Sequence, residues 1–264
     1  MIIIKSMSIK TCAIFLLSVF MISIFSISIS ANNKAYNWYC VHRKDHLQPR
    51  ADSAISFVEE YNGYYIDKLH GDNCADKVIY LTFDAGYENG NIEKILNVLT
   101  EENTHGAFFV LGNLIEKNTD LVKRMFEDGH LVCNHTFSHK SMVGKSEQEF
   151  KSELQKLEKC CLEKTGFEMS KFYRPPEGKF DEASMQYASS AGYKTIFWSF
   201  AYADWDNNKQ MSIESAKNKI LENIHNGEIM LLHPTSSTNA EIMRDIIKEL
   251  KAQGFRFGSL DELC

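Results

Sequence analysis

Between residues 78 and 258 the chain alternates short apolar runs with longer stretches of helical periodicity. The apolar runs fall at 78–82, 106–111, 130–134, 172–174, 194–199, 228–232 and 256–258, each the length of a buried strand. The intervening stretches, at 90–102, 120–128, 146–164, 181–190, 213–224 and 239–253, space their apolar residues three and four apart, as helices do. Punctuation agrees with this reading. Ser146 and Glu149 have capping-box spacing. Gly129, Gly166, Gly192, Gly227 and Gly254 stand where helices end. Strands alternating with helices predict an α/β chain of parallel strands joined by right-handed crossovers.

The flanks differ. Lys5 and Lys10 precede an uncharged stretch, 11–31, rich in Ile, Leu, Phe and Ser. A basic start, an apolar middle and small residues at Ser28, Ser30 and Ala31 read as an export signal over 1–31. The stretch is also long enough to span a bilayer, so anchoring through 11–31 is the alternative. Either way, a secreted or extracytoplasmic protein is expected, associated with the membrane or the cell wall. Residues 32–75 have weak periodicity and read as an irregular N-terminal arm, leaving 76–264 as the main domain.

Charge and cysteine content narrow the function. The full chain carries a formal charge of −6; without 1–31, which holds two lysines and no acid, it carries −8. An acidic exported chain is not expected to bind nucleic acid. Seven cysteines show no CxxC spacing, and a domain of this size does not need disulfide staples. Mostly free thiols are expected, with Cys133 buried in a strand.

Chemistry-bearing residues collect where strands end. Asp84 follows the first strand, within Thr82-Phe83-Asp84-Ala85-Gly86. His135 and His139 follow the third, and Arg174 ends the fourth, before Pro175-Pro176-Glu177-Gly178. Asp204 and Trp205 follow the fifth, and His233 ends the sixth. In parallel α/β folds those ends form one face, the usual place for a site. The i, i+4 spacing of His135 and His139 predicts two imidazoles on one side of a helical turn, suited to a divalent metal such as Zn, Co, Ni or Mn. Asp84 is a candidate base, and Arg174 is expected to fix it bidentately. His233 is a candidate general acid, because an imidazole titrates near neutrality. Asp204 would orient His233 or pair with Arg174. Trp205 is either core or the floor of a sugar-binding groove. A carboxylate, a His pair, an arginine and a third His are the parts of a metal-assisted hydrolase.

Together these segments resemble the polysaccharide deacetylases of the NodB-homology type, carbohydrate esterase family 4. Thr82–Gly86, His135–His139, Arg174–Gly178, Asp204-Trp205 and Leu231–His233 stand where that family has its five motifs. The resemblance spans about 76–264. It implies a distorted (β/α) barrel with outer helices and removal of acetyl groups from a polysaccharide. It also implies metal on His135 and His139, an oxyanion contact from the backbone N–H near Glu177, and Tyr87, Glu177 and Trp205 against substrate. One position departs: Ala85 stands where the family has a second, metal-binding aspartate, so weak metal binding is expected. The Trp38–Pro49 arm and Tyr80–Gly90 are similar to a narrower group, the delta-lactam-biosynthetic (muramic acid) de-N-acetylases of spore-forming bacteria. That similarity implies action on peptidoglycan glycan strands; a monomer is expected. It would deacetylate N-acetylmuramic acid on the way to the muramic δ-lactam of spore cortex. Deacetylation of N-acetylglucosamine or chitin oligomers, and non-catalytic glycan binding, are the rival readings.

Overall fold

The computed structural model describes residues 34–263. The leader at 1–31 with its alternative anchoring role, Cys12 and Cys264 lie outside the described residues.

In the main domain, strands β3 (Lys77–Ala85), β4 (Ala107–Val110), β5 (Leu131–Asn134), β6 (Ser170–Tyr173), β8 (Lys194–Ile196), β9 (Glu228–Leu232) and β10 (Phe255–Phe257) belong to one eight-stranded sheet, and every strand pair in it is parallel. The path runs β3-β4-β5-β6-β8, and β9 pairs with β3. A bridge between Phe200 and Met230 then joins the chain beyond β8 to β9, so the sheet curls back towards its own first strand. The helices between are α1 (Asn91–Glu101), α2 (Gly112–Lys117), α3 (Thr119–Glu127), α4 (Glu147–Thr165), α5 (Glu182–Ser190), α6 (Ile213–Leu221) and α7 (Ser237–Ala252). This is the distorted (β/α) barrel with outer helices that the pattern and the resemblance led us to expect. The Ser146–Glu149 capping box forms, and Gly166 closes α4 in the left-handed region at φ 81°.

Alternation along β3 sorts its side chains between two cores. Ile79, Leu81, Phe83 and Ala85 face outwards into the layer made with Ile92, Ile95 and Leu99 of α1 and Ile242, Ile246 and Leu250 of α7. Val78 and Tyr80 share a second cluster with Phe109, Cys133, Ile196 and Ile229. Thr82 and Asp84 continue that inner side towards the carboxyl end. β3 is longer than the 78–82 read from hydrophobicity. It runs through the motif to Ala85, where Asp84 pairs with Phe109 and Ala85 with Val110. Asp84 is therefore held by a ladder on a rigid strand.

The arm has little regular structure, but it is built into the barrel. Its pieces are β1 (Tyr36–Asn37), a 3₁₀ turn at Ser53–Tyr61 and β2 (Gly63–Tyr64). β1 pairs with β7 (Lys179–Phe180), and β2 extends the sheet beside β8. Trp38, Ile55, Val58 and Tyr65 share a cluster with Phe180, Met185 and Phe197 of the main domain. Trp38 also stacks on Phe197 with centroids 4.4 Å apart. The five cysteines of the described residues are free thiols, and Cys133 is buried.

Candidate active site

The parallel ladders bring the predicted residues to one end of the barrel. There a cleft of about 730 Å³ is lined by Asp84, Tyr87, His135, His139, Glu177, Trp205 and His233 among others. Two more of the predicted residues, Arg174 and Asp204, lie behind its wall, 0% and 1% exposed.

Asp84 and Arg174 form the inner pair. Arg174 Nη1 donates to Asp84 Oδ1 at 2.8 Å. The contact is single, not the bidentate fork expected from sequence, because Nη2 turns to Thr82 Oγ1 at 2.9 Å and to Phe197 O at 3.2 Å. Nε donates to Ile196 O at 2.9 Å. The guanidinium lies over the Phe109 ring, 4.1 Å from its centroid. Burial alone would raise the Asp84 pKa. The charges of His135, Arg174 and His233 outweigh it and hold the carboxyl below its usual range. His135 is itself pushed down to about 4 by burial and is neutral at pH 7, so the charge beside Asp84 comes from Arg174 and, when protonated, His233.

The His pair meets by a different route from the expected helical turn. Residues 135–139 are loop, not helix. The β5–β6 register slips between Cys133 and Asn134, and Thr136 and His139 sit in the left-handed region at φ 69° and 57°. Asn134 makes this turn possible. Its Oδ1 accepts from Thr136 N at 2.9 Å, and Thr136 Oγ1 accepts from His139 N at 3.0 Å. The rings still converge, with centroids 4.9 Å apart. His135 Nδ1 donates to Arg174 O at 2.8 Å, which leaves Nε2 as the unprotonated nitrogen, 3.5 Å from Asp84 Oδ2. A neutral imidazole with its far nitrogen tied to a carbonyl is the form that ligates metals. The donor set of His135 and His139 therefore fits a divalent ion. Among the described residues no group of three or more His, Cys, Asp or Glu side chains is placed to hold one. Ala85 contributes nothing to the cleft wall; its methyl is fully buried in the outer core.

His233 and Asp204 form the opposite side. Asp204 Oδ1 accepts from His233 Nδ1 at 2.6 Å, and Oδ2 accepts from His233 N at 2.8 Å. Of the two partners weighed for Asp204, the structure places His233 against it, not Arg174. Burial would depress the His233 pKa, but the bond to Asp204 and the charges of Asp204 and Asp84 raise it above the ordinary value. Sequence reasoning missed what holds Asp204. Asn239 Nδ2 donates to Asp204 Oδ2 at 2.6 Å, while Tyr202 Oη donates to Asn239 Oδ1. Gln210 Nε2 donates to Asp204 O at 2.9 Å. No local spacing signals these contacts.

The rim is aromatic. Trp205 is 61% exposed, so it is not core; it lines the cleft and meets the His233 ring in a T-shaped contact. Half-buried Trp198 lines the cleft, its carbonyl held by Trp38 Nε1 at 2.8 Å. Exposed Tyr87 accepts from Asn207 Nδ2 through its hydroxyl. Glu177 takes φ 57°, and next to it Gly178 takes φ 64°, where a Cβ would lie 2.7 Å from Trp198.

Comparison with known proteins agrees with this fold. The profile of the polysaccharide deacetylase family matches residues 71–196. The chain is 37% identical over 232 residues to the peptidoglycan-N-acetylmuramic acid deacetylase PdaA of Bacillus subtilis, covering 88% of this chain and 86% of that protein. It is 32% identical over 226 residues to a peptidoglycan-N-acetylglucosamine deacetylase of Bacillus cereus, covering 82% and 79%. The solved structure of Bacillus subtilis PdaA, described as a family 4 carbohydrate esterase, superposes with a TM-score of 0.82 at 36% identity over 88% of this chain and 97% of that one. The chain belongs to the polysaccharide deacetylase family of hydrolases, carbohydrate esterase family 4.

Proposed function

We propose that the protein is an extracytoplasmic, metal-dependent peptidoglycan deacetylase that removes the N-acetyl group from N-acetylmuramic acid residues, the step before muramic δ-lactam forms in spore cortex. The observation that carries the chemistry is the convergence of three units on one cleft: Asp84 with Arg174, His135 with His139, and His233 with Asp204. The muramic preference rests on the similarity to PdaA and on the Trp38–Pro49 arm. Export rests on the basic and apolar pattern of 1–31. The test is digestion of peptide-stripped glycan strands followed by mass spectrometry. Loss of an acetyl group on the muramic unit supports the reading. Loss on the glucosamine unit supports the second reading, which the Bacillus cereus relative favours.

The residues divide the reaction between them. His135 and His139 would hold a divalent ion, which when bound polarises the acetamide carbonyl and favours ionisation of water. Asp84, kept charged by Arg174, accepts a proton from the attacking water. The backbone N–H near Glu177 would stabilise the oxygen that gains charge, as the family resemblance implies. His233, protonated and oriented by Asp204, donates a proton to the departing sugar amine. Acetate is released. Trp205, Trp198 and Tyr87 offer faces on which sugar rings stack.

Two expected results follow. His135→Ala and His139→Ala should each lose bound metal together with activity, read by metal analysis of the purified proteins. Stoichiometric metal in both would remove them as ligands. The pH profile of kcat/KM should be broad. Asp84 acts only when charged, so the acid limb lies below about pH 4, the ordinary aspartate value. His233 acts only when protonated, so activity falls as pH rises through a pKa above about 6.5. Asp204→Asn takes away the charge that raises that pKa and should move the alkaline limb to lower pH. A limb that stays in place would separate Asp204 from His233.

A further inference from the structure

N-Acetylmuramic acid differs from N-acetylglucosamine by a lactyl ether on O3. Once the stem peptide is gone, that group ends in a carboxylate. An enzyme that separates the two sugars needs a group that meets this anion. Among the described residues, the wall of the catalytic cleft contains no lysine or arginine. Arg174 is fully buried and spends its donors on Asp84, Thr82, Ile196 O and Phe197 O. The three histidines of the cleft are assigned to metal and proton transfer.

Besides Arg174, which is buried and engaged, Lys179 is a solvent-accessible cation tied to the cleft through a wall residue. Lys179 Nζ lies 2.5 Å from Glu177 Oε2, and the side chains are 46% and 58% exposed. The backbone under this pair is unusually well fixed. Lys179 belongs to β7, paired with Asn37 of the arm. Trp38 N donates to Gly178 O at 2.8 Å, and Trp198 packs where a Gly178 side chain would be. The fold thus holds Glu177, a residue of the cleft wall, in the left-handed region, with its carboxylate paired to Lys179. A half-exposed ion pair is screened by water and weakly held, so a second carboxylate can take the place of the first.

We propose that Lys179 is a specificity-determining residue that receives the substrate's lactyl carboxylate, with Glu177 occupying it when the cleft is empty. The inference rests on the deacetylase reading above and gives the substrate class as an anionic amino sugar. The arm becomes part of specificity, because β1 positions the strand that carries Lys179.

The two halves of the pair should behave oppositely. Lys179→Met should lower kcat/KM on peptide-stripped muramyl strands about tenfold, the scale of one charged hydrogen bond. It should leave kcat/KM on an N-acetylglucosamine oligomer within twofold of wild type. Glu177→Gln frees Lys179 and should raise the ratio of kcat/KM on the muramyl strand to kcat/KM on the N-acetylglucosamine oligomer. Converting the lactyl carboxylate to its amide should remove both effects. Lys140→Met and Lys209→Met, at the exposed lysines near His139 and Trp205 in sequence, should change neither substrate. Equal losses on both sugars, no loss with Lys179→Met, or a selective loss with Lys140→Met or Lys209→Met instead would overturn the proposal. A wild-type protein that deacetylates only the glucosamine unit would overturn the muramic reading itself, a separate result.

Discussion

Asp84→Asn should reduce acetate release below about one per cent of wild type, within the 10²–10⁴-fold usually lost with a general base. The amide keeps the shape of the carboxylate and can still accept from Arg174 Nη1, so the 2.8 Å contact survives. It cannot accept the proton of the attacking water. His135 keeps its bond to Arg174 O, and the His135–His139 pair is untouched. Metal and glycan affinity should therefore stay near wild type while turnover disappears. The measurement is acetate release beside calorimetric titration of metal. Turnover above one per cent would show that another group takes the proton. Loss of metal along with activity would place Asp84 in the metal site instead.

Much of this was legible because parallel α/β chains place sequence-distant residues at one sheet edge. Asp84, His135, Arg174, Asp204 and His233 could be found by asking what ends each apolar run. What failed was the inference from local spacing to local shape. The i, i+4 separation of His135 and His139 suggests a helical turn, yet Asn134 captures Thr136 N and forces two left-handed residues. The rings meet because the register slips at the end of β5, and ladder register is a tertiary property. The partners of Arg174 were misjudged for a related reason. Its fork is divided by the Thr82 hydroxyl and two carbonyls, at Ile196 and Phe197, whose places follow from how β3, β6 and β8 with its continuation lie together. Asn239, Tyr202 and Gln210 carry no motif, and their role exists only once α7 docks beside the 201–211 loop. The arm looked irregular because its contribution is two very short strands and a tryptophan, whose partners lie more than a hundred residues away.

The greatest loss of stability is expected at Arg174. Its side chain is 0% exposed, and Asp84 beside it is 11% exposed, so both charges lie out of bulk water. Charges in that setting are tolerated because they compensate each other and the remaining donors are used. Arg174→Met keeps most of the volume and the contact with Phe109, but leaves the Asp84 carboxylate facing the cleft wall without its cation. The carbonyls of Ile196 and Phe197 lose donors as well. Breaking a buried pair from one side costs about 3–5 kcal/mol, a large share of the stability of a domain. Urea unfolding at pH 7 should show a midpoint lowered accordingly, with activity lost. Arg174→Met combined with Asp84→Asn distinguishes an exposed charge from general damage to the barrel interior. With the carboxylate gone, the double variant should be more stable than Arg174→Met alone, by the roughly 0.5–3 kcal/mol typical of residues in contact. It should remain inactive, since no base is restored. A double variant no more stable than Arg174→Met would mean that Arg174 supports the barrel through the carbonyls of β8 and its continuation, and that its charge is kept for Asp84's chemistry alone.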